Sequence, residues 1–486
     1  MNIAASWKER RIVGLVLGPL LFLVLLVISP PQGMSPAAWS VAAVAILMAT
    51  WWISEAIPLA ATALLPIVLF PLLDVMSTST TTTAYANHLI FLFMGGFLIA
   101  MAMQKWSLHK RIALHTIHWV GISPSRIILG FMLATAFLSM WISNTATAMM
   151  MLPIALAVIS QLALKEDQSP DEHEESSPFG TALMLGIAYS ASIGGVATLI
   201  GTPPNAILAG IVENLYQQRI SFATWMSFGL PLSLVMLGIA WFYLTRVAYP
   251  VGDQSSPKIK ELINKELATL GPLSRQEIWV AVVFAIVAIC WITRGLFDIP
   301  ALVNVSDASI AMTGALVLFV IPSDFRKREF LLDWSTAVKL PWDILVLFGG
   351  GFALAKGFSD SGLTEWIVTQ LSIMKGAPLI VLVLMVTAVV IFLTEVTSNT
   401  ATATLIIPVM GALAQAVGVQ PLSLMVPAAV AASYAFMLPV ATPPNAIVFS
   451  SRYITIPQMA RAGLWMNLLA SLVITAFVMF LLPIAL

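Results

Sequence analysis

Residues 139–156 read SMWISNTATAMMMLPIAL, and residues 394–410 read TEVTSNTATATLIIPVM. Both carry the tripeptide Ser-Asn-Thr, at 143–145 and 398–400, an offset of 398 − 143 = 255 residues. Each copy is followed by a second shared motif, GTPPNA at 201–206 and ATPPNA at 441–446, an offset of 441 − 201 = 240. Upstream, FLFMGGF (91–97) and VLFGGGF (346–352) again stand 255 apart. Three landmarks in the same order are an internal duplication, the sequence sign of a repeat-built membrane protein. Both polar motifs lie inside apolar sequence, where uncharged polar residues and broken helices line sites.

Composition sets the solvent. The 486 residues are 59% hydrophobic and only 9% charged, with mean hydropathy +0.95. A soluble domain carries about 25% charge, so most of this surface faces a lipid bilayer. The formal net charge is zero, which gives no sign of a nucleic-acid partner. The single cysteine, Cys290, excludes an intrachain disulfide framework. The apolar run after Arg11 ends in Pro30-Pro31 and lacks a small-residue cleavage site, so it reads as a first span.

Eleven segments are long enough to cross, near 12–29, 36–54, 56–73, 87–104, 179–215, 222–246, 277–296, 300–321, 341–356, 421–449 and 463–485. The stretches 124–164 and 376–418 are each too long for one span and carry Ser-Asn-Thr in the middle. They read as re-entrant hairpins. The pieces Trp106 to Trp119 and Ser359 to Leu371 read as interfacial helices. The fold class is therefore all-α and polytopic: an inverted repeat with about eleven spans, two hairpins and two broken helices.

Four regions follow. Residues 1–123 and 221–375 hold scaffold helices and one interfacial helix each. Residues 124–220 and 376–486 hold one hairpin and one broken helix each, with the last span in the second. With the N-terminus in the cytoplasm, only Arg219, Arg294, Lys356 and Lys375 of the 23 basic residues fall outside. That fits the positive-inside rule and leaves the C-terminus outside. The acidic run 166–175, with His173, reads as a solvated loop.

The motifs suggest a chemistry. Ser, Thr and Asn oxygens, with carbonyls freed where a helix breaks, suit a hard cation such as Na⁺. A half-helix beginning after each Pro-Pro would present unpaired N–H groups and a positive dipole end to an anion, and a hairpin tip with free N–H groups would do the same. Two intramembrane acids stand apart from this set. Glu55 reads as a cap or pairing residue at the cytoplasmic end of its span. Glu395 has Met140 as its repeat counterpart, so it lies outside the duplicated chemistry; it is either a proton or cation ligand or a structural partner. No phosphate-binding loop, haem motif, zinc spacing or nucleophile–base pair is visible, which argues against an ATP-driven pump and an enzyme.

The paired SNT and TPPN motifs and WWISEAIPLAATALLP at 51–66 resemble those of the divalent anion/Na⁺ symporter family, the INDY-type Na⁺/dicarboxylate symporters. The resemblance covers essentially the whole chain. It implies a homodimer in the inner membrane, in which a mobile transport domain moves like an elevator against a scaffold. It implies one Na⁺ site of Ser139, Ser143, Asn144 and the Gly201 backbone, and another of Thr394, Thr397, Asn399 and the Ala441 backbone. A C4 dicarboxylate such as succinate, malate or fumarate would lie between Ser143, Asn144 and Thr202 on one side and Ser398, Asn399, Thr400, Thr442 and Pro443 on the other. No organic cofactor is implied. The rivals are a Na⁺-independent dicarboxylate or citrate exchanger, a Na⁺/sulfate or Na⁺/citrate symporter of the same fold, and an anion channel.

Overall fold

The computed structural model describes residues 3–121, 123–163, 177–251, 257–296, 305–324, 326 and 328–486. The acidic run 166–175 and the start of the span expected at 300–321 lie outside them. The described chain is helical except for one small antiparallel pairing of Pro322–Asp324 with Glu329–Phe330. Helices satisfy their own backbone, which is what lipid demands. Among the described residues, nine helices are long and apolar enough to cross a membrane.

Proline explains where an expected span is broken into pieces. The stretch 56–73 forms Leu59–Thr62 and Leu65–Leu72, with Pro58 capping the first and Pro66 at the start of the second. A proline lacks the N–H of a helix interior, so each marks a new start. The described part of 300–321 is Asp307–Val320.

Both hairpins form where expected. The first pairs Pro124–Ser139 with Asn144–Ala163, and the second pairs Leu379–Thr394 with Asn399–Val417. Each leading arm has 16 residues. At 1.5 Å per residue that is about 24 Å, short of the ~30 Å hydrocarbon core. The arms therefore turn back at depth through residues 140–143 and 395–398, and each Ser-Asn-Thr motif closes its turn and opens the second arm. The preceding interfacial helices are Leu108–Val120 and Leu363–Leu371. The second bends 118° from the hairpin arm that follows.

Both broken spans also form. The first runs Pro178–Val196 and then Pro203–Tyr216; the second runs Leu422–Ser433 and then Pro443–Phe449. From Phe179 to Val196 the first of these helices is buried throughout, so it is the axis of the packed body. Each half-helix packs on the hairpin of the other repeat: Pro203–Tyr216 on Asn399–Val417, and Pro443–Phe449 on Asn144–Ala163.

The scaffold is exchanged in the same way. A Cβ on Gly95 would lie 2.7 Å from the Ala311 backbone, and one on Gly350, its counterpart at 95 + 255, would lie 2.3 Å from Ala63 O. Each glycine helix thus presses on a helix of the other repeat. Phe222–Phe242 ties itself to the first hairpin and first broken span. Trp225 Nε1 donates to Val196 O (2.9 Å), Ser233 Oγ to Ile193 O (2.8 Å) and Trp241 Nε1 to Ser125 O (2.9 Å).

Small residues set the tightest of these contacts. A Cβ on Gly194 would lie 2.2 Å from Ala136 O, whereas one on Gly238 meets nothing within 4 Å. Gly194→Ala must separate the first hairpin from the first broken span. It should cost about 1–3 kcal/mol, read as a clear fall in melting temperature in detergent. Gly238→Ala should leave the melting temperature level or slightly raised. Equal melting temperatures for the two variants would contradict this packing.

Candidate functional site

The four motif copies meet. A cavity of about 530 Å³ is lined by residues of both hairpin tips and both breaks. Of the residues expected from sequence, Ser143, Asn144, Gly201, Thr202, Thr397, Ser398, Asn399, Thr400, Ala441, Thr442 and Pro443 line it. Ser139 and Thr394 do not. They are fully buried behind the tips, where each supports the asparagine that does line the cavity.

The two supports match. Thr394 Oγ1 lies 2.8 Å from Asn399 Oδ1 and 3.1 Å from Ala432 O. Ser139 Oγ lies 2.7 Å from Ala191 O and touches the end of the Asn144 side chain. That amide end is also 3.2 Å from Ala191 O and 3.3 Å from Gly201 O. With Nδ2 turned inward, Asn144 donates to all three. With Oδ1 inward, four oxygens converge around too few protons, the donor set a hard cation takes. A hydroxyl has one proton, and here each faces two oxygens. Close approach makes this possible: a Cβ on Gly195 would lie 2.8 Å from Asn144 Oδ1, and one on Gly201 would lie 2.4 Å from Gly195 O.

Thr397 lines the cavity, and its hydroxyl donates to Leu393 O (2.8 Å) and meets Thr402 Oγ1 (2.6 Å). These bonds tie the side chain into the hairpin, so the backbone carbonyl is its freer oxygen.

The half-helices also depart from expectation. They begin at the prolines, not after them, with Thr202 and Thr442 as N-caps. Two of their first amides are thus absent. The next ones are engaged, Asn205 N with Thr202 O (3.2 Å) and Asn445 N with Thr442 Oγ1 (3.3 Å). The positive ends facing the cavity belong mainly to the second hairpin arms, which start at Asn144 and Asn399. Their first amides have no intrahelical acceptor. Among the described residues, no basic side chain lines the cavity.

Sequence reasoning missed three things. Asn205 and Asn445, in the TPPN motifs, are fully buried staples. Asn205 Nδ2 donates to Gly195 O, Val196 O and Thr198 O (3.2, 3.3 and 2.7 Å). Asn445 Nδ2 donates to Ala435 O and Leu438 O, both at 3.0 Å. The offset of 240 maps Gly195 to Ala435 and Thr198 to Leu438, so the duplication itself held this signal. The carbonyls of Ala191 and Ala432 carry no side-chain signal at all. Glu55 lines the cavity with a left-handed backbone, φ 50°, and pairs with Arg11 at 3.6 Å.

Glu395 turns away from the cavity. Its carboxylate accepts from the amides of residues 436–438 and from Asn467. It is a structural partner of the second break, not part of the cavity wall.

Losing an asparagine staple leaves buried carbonyls unpaired, at about 1–3 kcal/mol each. Asn205→Asp and Asn445→Asp, which cannot donate when ionised, should each lower the melting temperature as much as the alanine variants do. An aspartate variant as stable as the parent would show that the staple is not needed.

A family model described as the sodium:sulfate symporter transmembrane region matches residues 9–484. The chain is 47% identical over 481 residues to the sodium-dependent dicarboxylate transporter SdcS of Staphylococcus saprophyticus, spanning 98% of this chain and 92% of that one. It is 46% identical over 485 residues to SdcS of Staphylococcus aureus, spanning 99% and 93%. Among solved structures it resembles the YdaH transporter of Alcanivorax borkumensis, with TM-score 0.56, 14% identity and coverage of 93% and 99%. It resembles MtrF of Neisseria gonorrhoeae with TM-score 0.56, 11% identity and coverage of 96% and 94%. At these identities the likeness speaks for the fold alone. With a family match running through both repeats and nearly the whole length, the chain belongs to the sodium:sulfate symporter family of membrane transporters.

Proposed function

We propose that this chain is a Na⁺-coupled secondary symporter of C4 dicarboxylates such as succinate, malate and fumarate, and not an enzyme. The observation that carries the reading is a motif-lined cavity of about 530 Å³ where, among the described residues, no basic side chain stands, flanked by two corresponding hydroxyl–asparagine pairs, Ser139 with Asn144 and Thr394 with Asn399. A neutral hydrogen bond contributes about 1 kcal/mol net. A cation 4 Å from a carboxylate contributes about 4 kcal/mol at an effective dielectric of 20. A dianion held by hydroxyls and amides alone is therefore bound weakly. Two Na⁺ beside it make the loaded site neutral and supply the missing attraction. The names of the full-length relatives, sodium-dependent dicarboxylate transporters, support the same substrate pair.

In this proposal one Na⁺ takes Ser139, Ser143, Asn144 and the Gly201 carbonyl. The other takes Thr394, Asn399 and the Thr397 and Ala441 backbone. The dicarboxylate lies between Ser143, Asn144 and Thr202 and Ser398, Asn399, Thr400, Thr442 and Pro443. Both hairpins and both broken spans move together as an elevator in a homodimer, with the N-terminus cytoplasmic and the C-terminus outside. The hydrogen bonds of Trp225, Ser233 and Trp241 favour Phe222–Phe242 moving with that body, although the repeat boundary assigns it to the scaffold. A Na⁺-independent exchanger would want a basic side chain where the cation sits.

Radiolabelled succinate uptake into proteoliposomes tests the reading. An inward Na⁺ gradient should drive accumulation that K⁺ or choline does not. Uptake indifferent to Na⁺ and driven by internal dicarboxylate would make the protein an exchanger. Asn144→Ala and Asn399→Ala should each lower uptake at least a hundredfold, because each asparagine serves both an ion and the anion. Na⁺-driven uptake retained in both variants would remove these residues from the site.

A further inference from the structure

The two proposed cation sites are built on corresponding residues but differ in what stands behind them. The offset of 255 pairs Glu395 with Met140. Glu395 is 3% exposed and Asn467 is fully buried. Glu395 Oε1 accepts from Phe436 N (2.7 Å), Met437 N (2.9 Å) and Asn467 Nδ2 (2.8 Å), and Oε2 accepts from Leu438 N (3.1 Å). All four partners are N–H donors, the arrangement an ionised carboxylate takes. None of the four is a cation.

The first repeat does this job without charge. Its break, residues 197–202, is a tight turn in which Ala197 N reaches Gly194 O (3.0 Å) and Gly201 N reaches Thr198 O (3.4 Å). Neutral bonds join it to the hairpin tip, from Thr198 Oγ1 to Met140 O (2.6 Å) and, with Nδ2 inward, from Asn144 to Gly201 O (3.3 Å). The second break, residues 434–442, is longer and more extended, so its amides 436–438 look outward and need an acceptor. A neutral acceptor would satisfy them; the chain uses a full charge.

The residue that carries this charge is the immediate chain neighbour of the second cluster. Glu395 follows Thr394, whose hydroxyl meets Asn399 Oδ1 and Ala432 O. Its hold on Leu438 continues toward the site. Leu438 O accepts from Asn445 Nδ2 (3.0 Å) and from the amide of Ala441 (3.2 Å), and Ala441 lines the cavity. We propose that Glu395 is a positioning residue that makes the two Na⁺ sites unequal: it fixes the backbone of the second site and adds a buried negative charge that the first site lacks. The second site then fills at lower Na⁺ than the first. A charge in a low-dielectric interior acts over several ångströms, so Glu395 needs no contact with the ion. This inference rests on the Na⁺-coupled reading above.

The test is the Na⁺ dependence of thermal stability in detergent without substrate, alongside the Na⁺ dependence of succinate uptake. Glu395→Gln keeps the shape and removes the charge. It should raise the Na⁺ concentration for half-maximal stabilisation tenfold or more. Glu395→Gln combined with Asn467→Asp returns a carboxylate to the same cluster and should bring that value back to within threefold of the parent. A folded E395Q protein with unchanged Na⁺ dependence would overturn the inference. So would a loss that the second substitution does not repair, since that is the mark of a purely structural role. If E395Q alone does not fold, the double variant decides: within threefold supports the charge, and tenfold weaker overturns it. A parent protein with neither Na⁺-dependent stabilisation nor Na⁺-driven uptake would overturn the symport reading itself, and this inference with it.

Discussion

Backbone broken at membrane depth must find its hydrogen bonds inside the protein. Water is not there to supply them, and each unpaired group costs several kcal/mol. The breaks and tips of this fold expose amides and carbonyls where lipid surrounds the body. In each break one fully buried asparagine takes up the carbonyls, Asn205 in the first and Asn445 in the second. The amides are handled differently, by tight turns in the first break and by Glu395 in the second. Only with these bonds in place can helix ends and free carbonyls be held toward a common cavity.

That cavity then has a particular electrostatic character. Its walls offer hydroxyls, side-chain amides and helix starts, and among the described residues Glu55 is the charged one lining it. Such walls attract an anion only modestly. Behind them stand two corresponding pairs, Ser139 with Asn144 and Thr394 with Asn399; the Asn399 oxygen meets its hydroxyl, and the Asn144 amide satisfies its neighbours when Nδ2 points inward. In the proposed symport, coupling follows from a mutual shortage, because each ligand supplies the charge that the other lacks.

Exchange between repeats explains why the site is shared. Pro203–Tyr216 packs on the second hairpin and Pro443–Phe449 on the first. Neither repeat can close its half of the cavity without the other. Glycine carries the same logic into the scaffold, where Gly95 meets Ala311 and Gly350 meets Ala63. A side chain at either position would drive backbones apart, so these contacts depend on what is missing from the residue.

The sequence alone determined the duplicated order, the two hairpins, the two broken spans and most of the cavity wall. These are local properties: polar residues and Pro-Pro stand out against apolar sequence wherever they occur. The family resemblance implied Ser139 and Thr394 as ion ligands; the structure places both behind the cavity wall, against Asn144 and Asn399. What the tertiary structure decided was partnership. The Ala191 and Ala432 carbonyls look like any others in sequence. Glu55 reads as a span end until folding turns it toward the cavity. Glu395 offered two roles until residues 436–438 and 467 came to meet it, from 41 to 72 positions away. The direction of a hydrogen bond across a packed interface depends on atoms brought together from distant parts of the chain, and no stretch of sequence contains both ends of it.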